Sequence, residues 1–141
     1  MTVKVARDAT ELKDAQDLRI RVFCEEQGVS PELELDGLDD EATQIVALDE
    51  SGVVATCRLR FSADSCKLER MAVEADRRGL GVGTRLLEGA EDEARRQGAI
   101  EVELKGQVAA RGFYERGGYA VLSEEIVEDA GIDHVRMRKA L

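Results

Sequence analysis

The chain has no tryptophan, one proline, one histidine and three cysteines in 141 residues. A lone His134 with cysteines scattered at Cys24, Cys57 and Cys66 gives no metal-ligand spacing, so no metal site is expected. The cysteines form neither an even framework nor a C-x-x-C pair, which points to reduced, small buried side chains in a cytoplasmic protein. No apolar stretch approaches the roughly 20 residues of a membrane span. The start, MTVKVARDATELKD, has no signal-peptide core, and no repeat, low-complexity tract or linker follows. One domain over residues 1–141 with one core is expected. Positive charge is scarce as well: 20 Lys and Arg stand against 30 Asp and Glu, a net charge of −10. That balance argues against nucleic acid, whose binding rests on phosphate neutralisation. It suits a cationic small substrate, and it is also a common route to solubility.

What the chain does have is regular patterning. The segment TVKVA alternates as a first strand, and Asp8 with Glu11 forms a capping pair for a helix carrying Leu12, Ala15, Leu18 and Val22 to about Cys24. Gly28 and Pro31 stop that helix, and the acidic stretch from 32 to 43 reads as a loop. Two strands joined at Asp49 to Gly52 follow, then a third from 66 to 73. A second helix puts Val82, Leu86, Leu87, Ala90 and Ala94 on one face and ends at Gly98. AIEVEL then alternates with Ile100, Val102 and Leu104 on the buried side, and a short helix runs from about Val108 to Arg116. YAVLSE and HVRMRK close the chain as strands around a turn at Gly131. The order β-α-β-β-β-α-β-α-β-β predicts an α/β (α+β) fold with a mixed sheet of six or seven strands flanked by helices.

Between the third of these strands and its helix lies RRGLGVGT, three glycines at alternate positions behind two arginines. A helix N-terminus offers unpaired N–H groups to an anion, and glycine lets a bulky one approach. A phosphate-binding P-loop needs Lys then Ser or Thr after its last glycine, but Thr84 follows Gly83 directly. A dinucleotide fingerprint needs G-x-G-x-x-G, and the sixth position is Thr84 or Leu86, although Glu103 stands at a ribose-contact distance. A plain tight turn is the remaining local alternative. Arg77, Arg78 and Arg85 form a positive corner here, while ELELDGLDDE, with six acids in ten positions, forms a negative one.

The pattern R-x-x-G-x-G at Arg78, Gly81 and Gly83 resembles the pyrophosphate-binding motif of the GNAT superfamily of acetyl-CoA-dependent N-acyltransferases. GFYERGGY is similar to that family's F-Y-x-x-x-G-F/Y segment. LRIRVFCEEQGVS, KLERMAVEADRRGLGVG and LSEEIVEDAGIDHVRM resemble segments of its ElaA/YjcF-like subgroup, so the likeness spans essentially the whole chain. Three positions depart from the pattern. No proline precedes the glycine loop, Asp133 replaces a proline, and Gln44 stands where the subgroup usually has histidine.

The resemblance implies a GNAT fold with acetyl-CoA as co-substrate, a small-molecule amine or a peptide as acceptor, and direct attack. It implies that backbone groups of Met71, Ala72 and Val73 hold the acyl carbonyl and pantetheine arm. The pyrophosphate would rest on Arg78, Gly79, Leu80, Gly81, Val82, Gly83 and Thr84, with Gln107 and Phe113 nearby. Tyr114 matches the tyrosine that protonates the leaving thiolate; its alternative role is a half-buried structural tyrosine. For the general base there are three candidates, Glu69, Glu26 and His134. Glu69 shares a strand side with Met71 and Val73 on simple alternation, where burial would raise its pKa. Its competing role is a structural ion pair with Arg58 or Arg60. The resemblance alone raises a homodimer. A CoA-binding module without turnover is the alternative function.

Overall fold

Local signals set the first elements. Strand β1 (Thr2–Val5) leads to helix α1 (Ala9–Arg19), where the Asp8 carboxylate accepts the Glu11 N–H at 2.7 Å and Glu11 reaches back to the Arg7 N–H. A computed structural model describes residues 1–141. In it α1 passes into a wider π-helical segment, Ile20–Glu26, so the helical run extends slightly beyond Cys24. Pro31 then opens a single turn, α2 (Pro31–Glu34), where a loop is predicted from sequence. Proline is favoured in a first helical turn, which explains why this breaker also starts a helix.

Strands β2 (Thr43–Asp49), β3 (Gly52–Ser62) and β4 (Ser65–Val73) form an antiparallel meander. Helix α3 (Val82–Arg96), strand β5 (Glu101–Gln107) and helix α4 (Arg111–Arg116) follow, the last after a 3-10 turn at Val108–Ala110. The chain ends in β6 (Ala120–Val121), β7 (Val127–Asp129) and β8 (Ile132–Ala140). Eight strands make one mixed sheet in the order β1-β2-β3-β4-β5-β8-β6, with β7 also on β8. The parallel pair is β4–β5, and the others are antiparallel.

Two details differ from the sequence reading. YAVLSE supplies only the two residues of β6, because Ser123 accepts the Glu125 N–H at 3.1 Å and turns the chain. The separate strand β7 then pairs with β8 across Gly131. Ile100 is 60% exposed, because β5 begins one residue later and buries Val102, Leu104 and Gly106.

Helices cover both sheet faces. A core of 20 buried residues lies under α3 and α4, and Leu86 and Leu87 are closed off completely or nearly so. Each such leucine contributes about 1.5–3 kcal/mol by leaving water. A core of seven residues, including Leu18, Val46 and Ala72, lies under α1 on the other face. No helix is long and apolar enough to cross a membrane.

The feature that matters for function is a parting of strands. β4 and β5 pair only from Ser65–Glu101 to Leu68–Leu104. Beyond Leu68, β4 carries a bulge: the register with β3 shifts between Thr56 and Arg58, and Arg70 takes the left-handed φ of 57°. Residues 69–73 therefore leave β5, and a slot opens through the sheet.

Candidate active site

One bank of the slot is the end of β4. The Glu74 N–H donates to the Val54 carbonyl at 2.8 Å, so Val54 and Glu74 form a hydrogen-bonded antiparallel pair. Alternation then points the N–H and C=O of Val73 and Met71 away from β3, into the slot. The Val73 carbonyl agrees with this direction, since it accepts from Arg78 Nε at 3.0 Å.

The glycine loop continues that bank. Gly81 has φ 81° and sits immediately before α3, a left-handed turn that a side chain would strain. It leaves the N–H groups of Val82, Gly83 and Thr84 without partners inside the helix. Gly83 answers a different need: a Cβ there would lie 3.3 Å from the Phe113 ring and 3.7 Å from Val73 Cγ2. The three arginines of the predicted positive corner separate here. Arg77 binds Asp49 at 2.9 Å and Arg85 binds the Met1 carbonyl at 3.1 Å. Arg78 remains at the loop, with Glu26 on its guanidinium at 2.8 Å.

The other bank is β5 with α4. Tyr114 is buried, edge-on to Phe113 and Tyr119 at 5.1 and 5.9 Å, and its hydroxyl donates to Met71 Sδ across the slot at 3.6 Å. Desolvation, and secondarily Cys57, pushes its pKa up, so it stays protonated at neutral pH. Gln107 ends β5 and donates to Gln27 at 2.9 Å.

The face under α1 carries charge instead. Arg58 and Arg60 both hold Glu69. Arg58 also chelates Asp36 at 2.8 Å through each terminal nitrogen, and Arg19 holds Glu34 and Asp39 at 2.7 Å. Gln44 joins through Asp39 at 3.1 Å. Three of the six acids of the predicted negative corner, Glu34, Asp36 and Asp39, are thus paired with arginines distant in sequence.

This arrangement corrects the reading of Glu69. The bulge at Arg70 breaks alternation, so Met71 and Val73 pack toward the α3 core while Glu69 faces the arginines on the opposite side. Burial would raise its pKa, but the hydrogen bonds from Arg60 and Arg58 outweigh that and set it below the usual carboxylate value. The ion pair with Arg58 and Arg60 is the role the geometry supports. Glu26 is engaged by Arg78. His134 presents a different picture: its Nδ1 lies 2.7 Å from the Ile132 carbonyl and must donate to it. In the neutral ring Nε2 is then a free acceptor.

These surfaces line one cavity of about 900 Å³ that passes through the slot and reaches both faces of the sheet. Of the residues named from sequence, Leu80, Val82 and Glu26 lie outside its wall; Leu80 projects into solvent and Val82 into the core. Arg116 lines it without an ion pair, a cation the sequence reading passed over because it lies 33 residues after the loop's last glycine. No group of three or more His, Cys, Asp or Glu is placed to hold a metal.

The sequence profile described as an acetyltransferase (GNAT) domain matches residues 11–141. The chain belongs to the GNAT family. Within it, the protein is 39% identical to the Bacillus subtilis uncharacterized N-acetyltransferase YjcF, over 99% of each chain. A Lactobacillus plantarum structure superposes with a TM-score of 0.91 at 31% identity, covering 99% of this chain and 97% of that one. The structure of an acyl-CoA N-acyltransferase from Pseudomonas aeruginosa gives 0.84 at 28% identity, covering 99% and 98%. This GNAT protein is accordingly an acyltransferase enzyme of the ElaA/YjcF-like group.

Proposed function

We propose that this protein moves an acetyl group from acetyl-CoA to a primary amine of a small molecule by direct attack, within one domain spanning the chain. The observation that carries the reading is the slot itself, with main-chain N–H groups of Met71 and Val73 on one bank and the Tyr114 hydroxyl on the other. Acetyl-CoA supplies the acyl group and a thiolate leaving group. The chain supplies the rest. The unpaired N–H groups at the start of α3, with Arg78, suit the pyrophosphate. The N–H groups along β4 suit the pantetheine arm and the carbonyl oxygen as it gains charge. Tyr114, protonated and close to Met71, is the acid for the departing sulfur. Proton removal from the amine falls to His134 Nε2, directly or through a water, because Glu69 and Glu26 are held by arginines.

The test is thiol release from acetyl-CoA across a panel of amines, with a no-amine control. Tyr114→Phe should keep acetyl-CoA affinity and lower turnover about 10²-fold, the usual scale for a positioned acid. Intact turnover in that variant would assign the proton to another group. Coenzyme A binding without thiol release for any amine would favour a regulatory module.

A further inference from the structure

Charge is distributed differently in the chain and in its cavity. The chain has fewer cationic than acidic side chains, 20 against 30, but the cavity wall has seven against four. Arg78 lies at the glycine loop, where the phosphates of coenzyme A account for it, Arg77 is already paired with Asp49, and Arg116 lines the wall from the end of α4. The other four cations line the face under α1 and α2.

No carboxylate of the cavity wall on that face is free to receive a second ammonium group. Asp36 is chelated by Arg58, Glu69 is shared by Arg58 and Arg60, and Asp129 binds Lys105 at 2.8 Å. Glu34 keeps one oxygen without a hydrogen bond, but it is 1% exposed and packed against Arg19 and Arg70. A polycationic acceptor finds no partner there.

Lys67 is the exception among these four cations. It is exposed on the cavity wall and makes no ion pair. Its antiparallel partner on β3 is Arg60, another cation. Like charges directly opposite one another destabilise a strand pair, and Glu69 relieves only the Arg60 side. Glu103, level with Lys67 on β5, makes no ion pair with it and lies outside the wall. An oxyanion between Lys67 and Arg60 would satisfy both.

Position fixes the length of such a molecule. Lys67 lies four residues before Met71, roughly 13 Å along a regular strand, and the bulge at Arg70, where five residues of β4 span four of β3, draws that in to roughly 10 Å. We propose that the acceptor is an amine that also carries an oxyanion, a carboxylate or a phosphate, roughly 10 Å from its nitrogen. Lys67 and Arg60 grip the oxyanion while the amine reaches the slot beside Tyr114. This rests on the acetyltransferase reading of the same cavity.

The experiment uses the full chain loaded with coenzyme A. Binding of ω-amino acids from glycine to 8-aminooctanoate, and of their carboxamides, is measured by calorimetry, and thiol release is followed in parallel with acetyl-CoA. Aminohexyl phosphate against aminohexanol distinguishes phosphate from carboxylate, and spermidine represents polycations. Affinity should climb with chain length, and the longer acids should exceed their amides about tenfold or more, the scale of a hydrogen bond to a charged partner. Lys67→Gln, at an exposed position, should erase that preference. Equal binding of acid and amide, tightest binding of spermidine, or a preference that survives Lys67→Gln overturns the proposal and leaves the acetyltransferase reading standing. Failure of coenzyme A itself to bind overturns both.

Discussion

On the side of the slot proposed for the cofactor, the polar groups facing the cavity are largely main-chain N–H groups, at Met71, Val73 and the start of α3. On the side proposed for the acceptor they are largely side chains held in ion pairs, with Arg58 fully buried among Asp36, Asp39 and Glu69. The first kind of site depends on strand register and a left-handed turn, so most side-chain changes leave it alone. The second depends on matched charges, so it responds to pH and to single substitutions. A coenzyme common to many enzymes suits the former, and an individual acceptor suits the latter.

The largest effect should come from attacking the main-chain side. Gly81→Val strains a φ of 81° at the helix start without touching the core, since a Cβ there meets no atom within 4 Å. Coenzyme A binding by calorimetry should fall below detection while circular dichroism reports a folded protein. Unchanged affinity would remove the glycine loop from the cofactor assignment.

A middle effect should separate two side chains of the acceptor face. His134→Asn should lower turnover about 10²-fold at neutral pH and recover toward alkaline pH, where free amine is abundant. Glu69→Gln should instead leave the shape of the pH–rate profile unchanged and lower folding stability by about 1–3 kcal/mol, because Arg58 and Arg60 lose a charged partner. An exchange of these two behaviours would restore Glu69 as the base.

The smallest and most graded effect concerns acid. Arg58 holds the Asp36 carboxyl well below the usual carboxylate range. Asp39 and Glu69 are also lowered: burial opposes this, but the arginines prevail. These groups bind protons more weakly folded than unfolded, where carboxyls titrate near about pH 4. Their stabilisation is therefore complete at neutral pH and declines as pH falls from about 5 downward. Denaturant melts at stepped pH check this, and Glu69→Gln should flatten the slope.

The glycine turn and α3 were more legible in the sequence because their signals are local. Apolar spacing marked α3, and three glycines marked the turn before it. The face of Glu69 was not legible, because the bulge at Arg70 is set by register with β3 and by contacts to Leu33, Glu34 and Asp36, 34 to 37 residues away. The acidic run from 32 to 41 looked like a negative surface for the same reason: its arginine partners come from α1, β3 and β4. Strand β7 escaped notice because three residues cannot display a period.

Glu26 and Gln27, adjacent at the end of the π-helical segment, fasten to opposite banks of the slot. One holds Arg78 after β4, and the other holds Gln107 at the end of β5. Mechanically the segment is a tie-rod, because any force that spreads the banks loads both contacts through the single peptide link between Glu26 and Gln27. Both contacts are exposed, so each resists with no more than about 1 kcal/mol. The link between the banks is thus present at rest but weak, because neither contact is shielded from water.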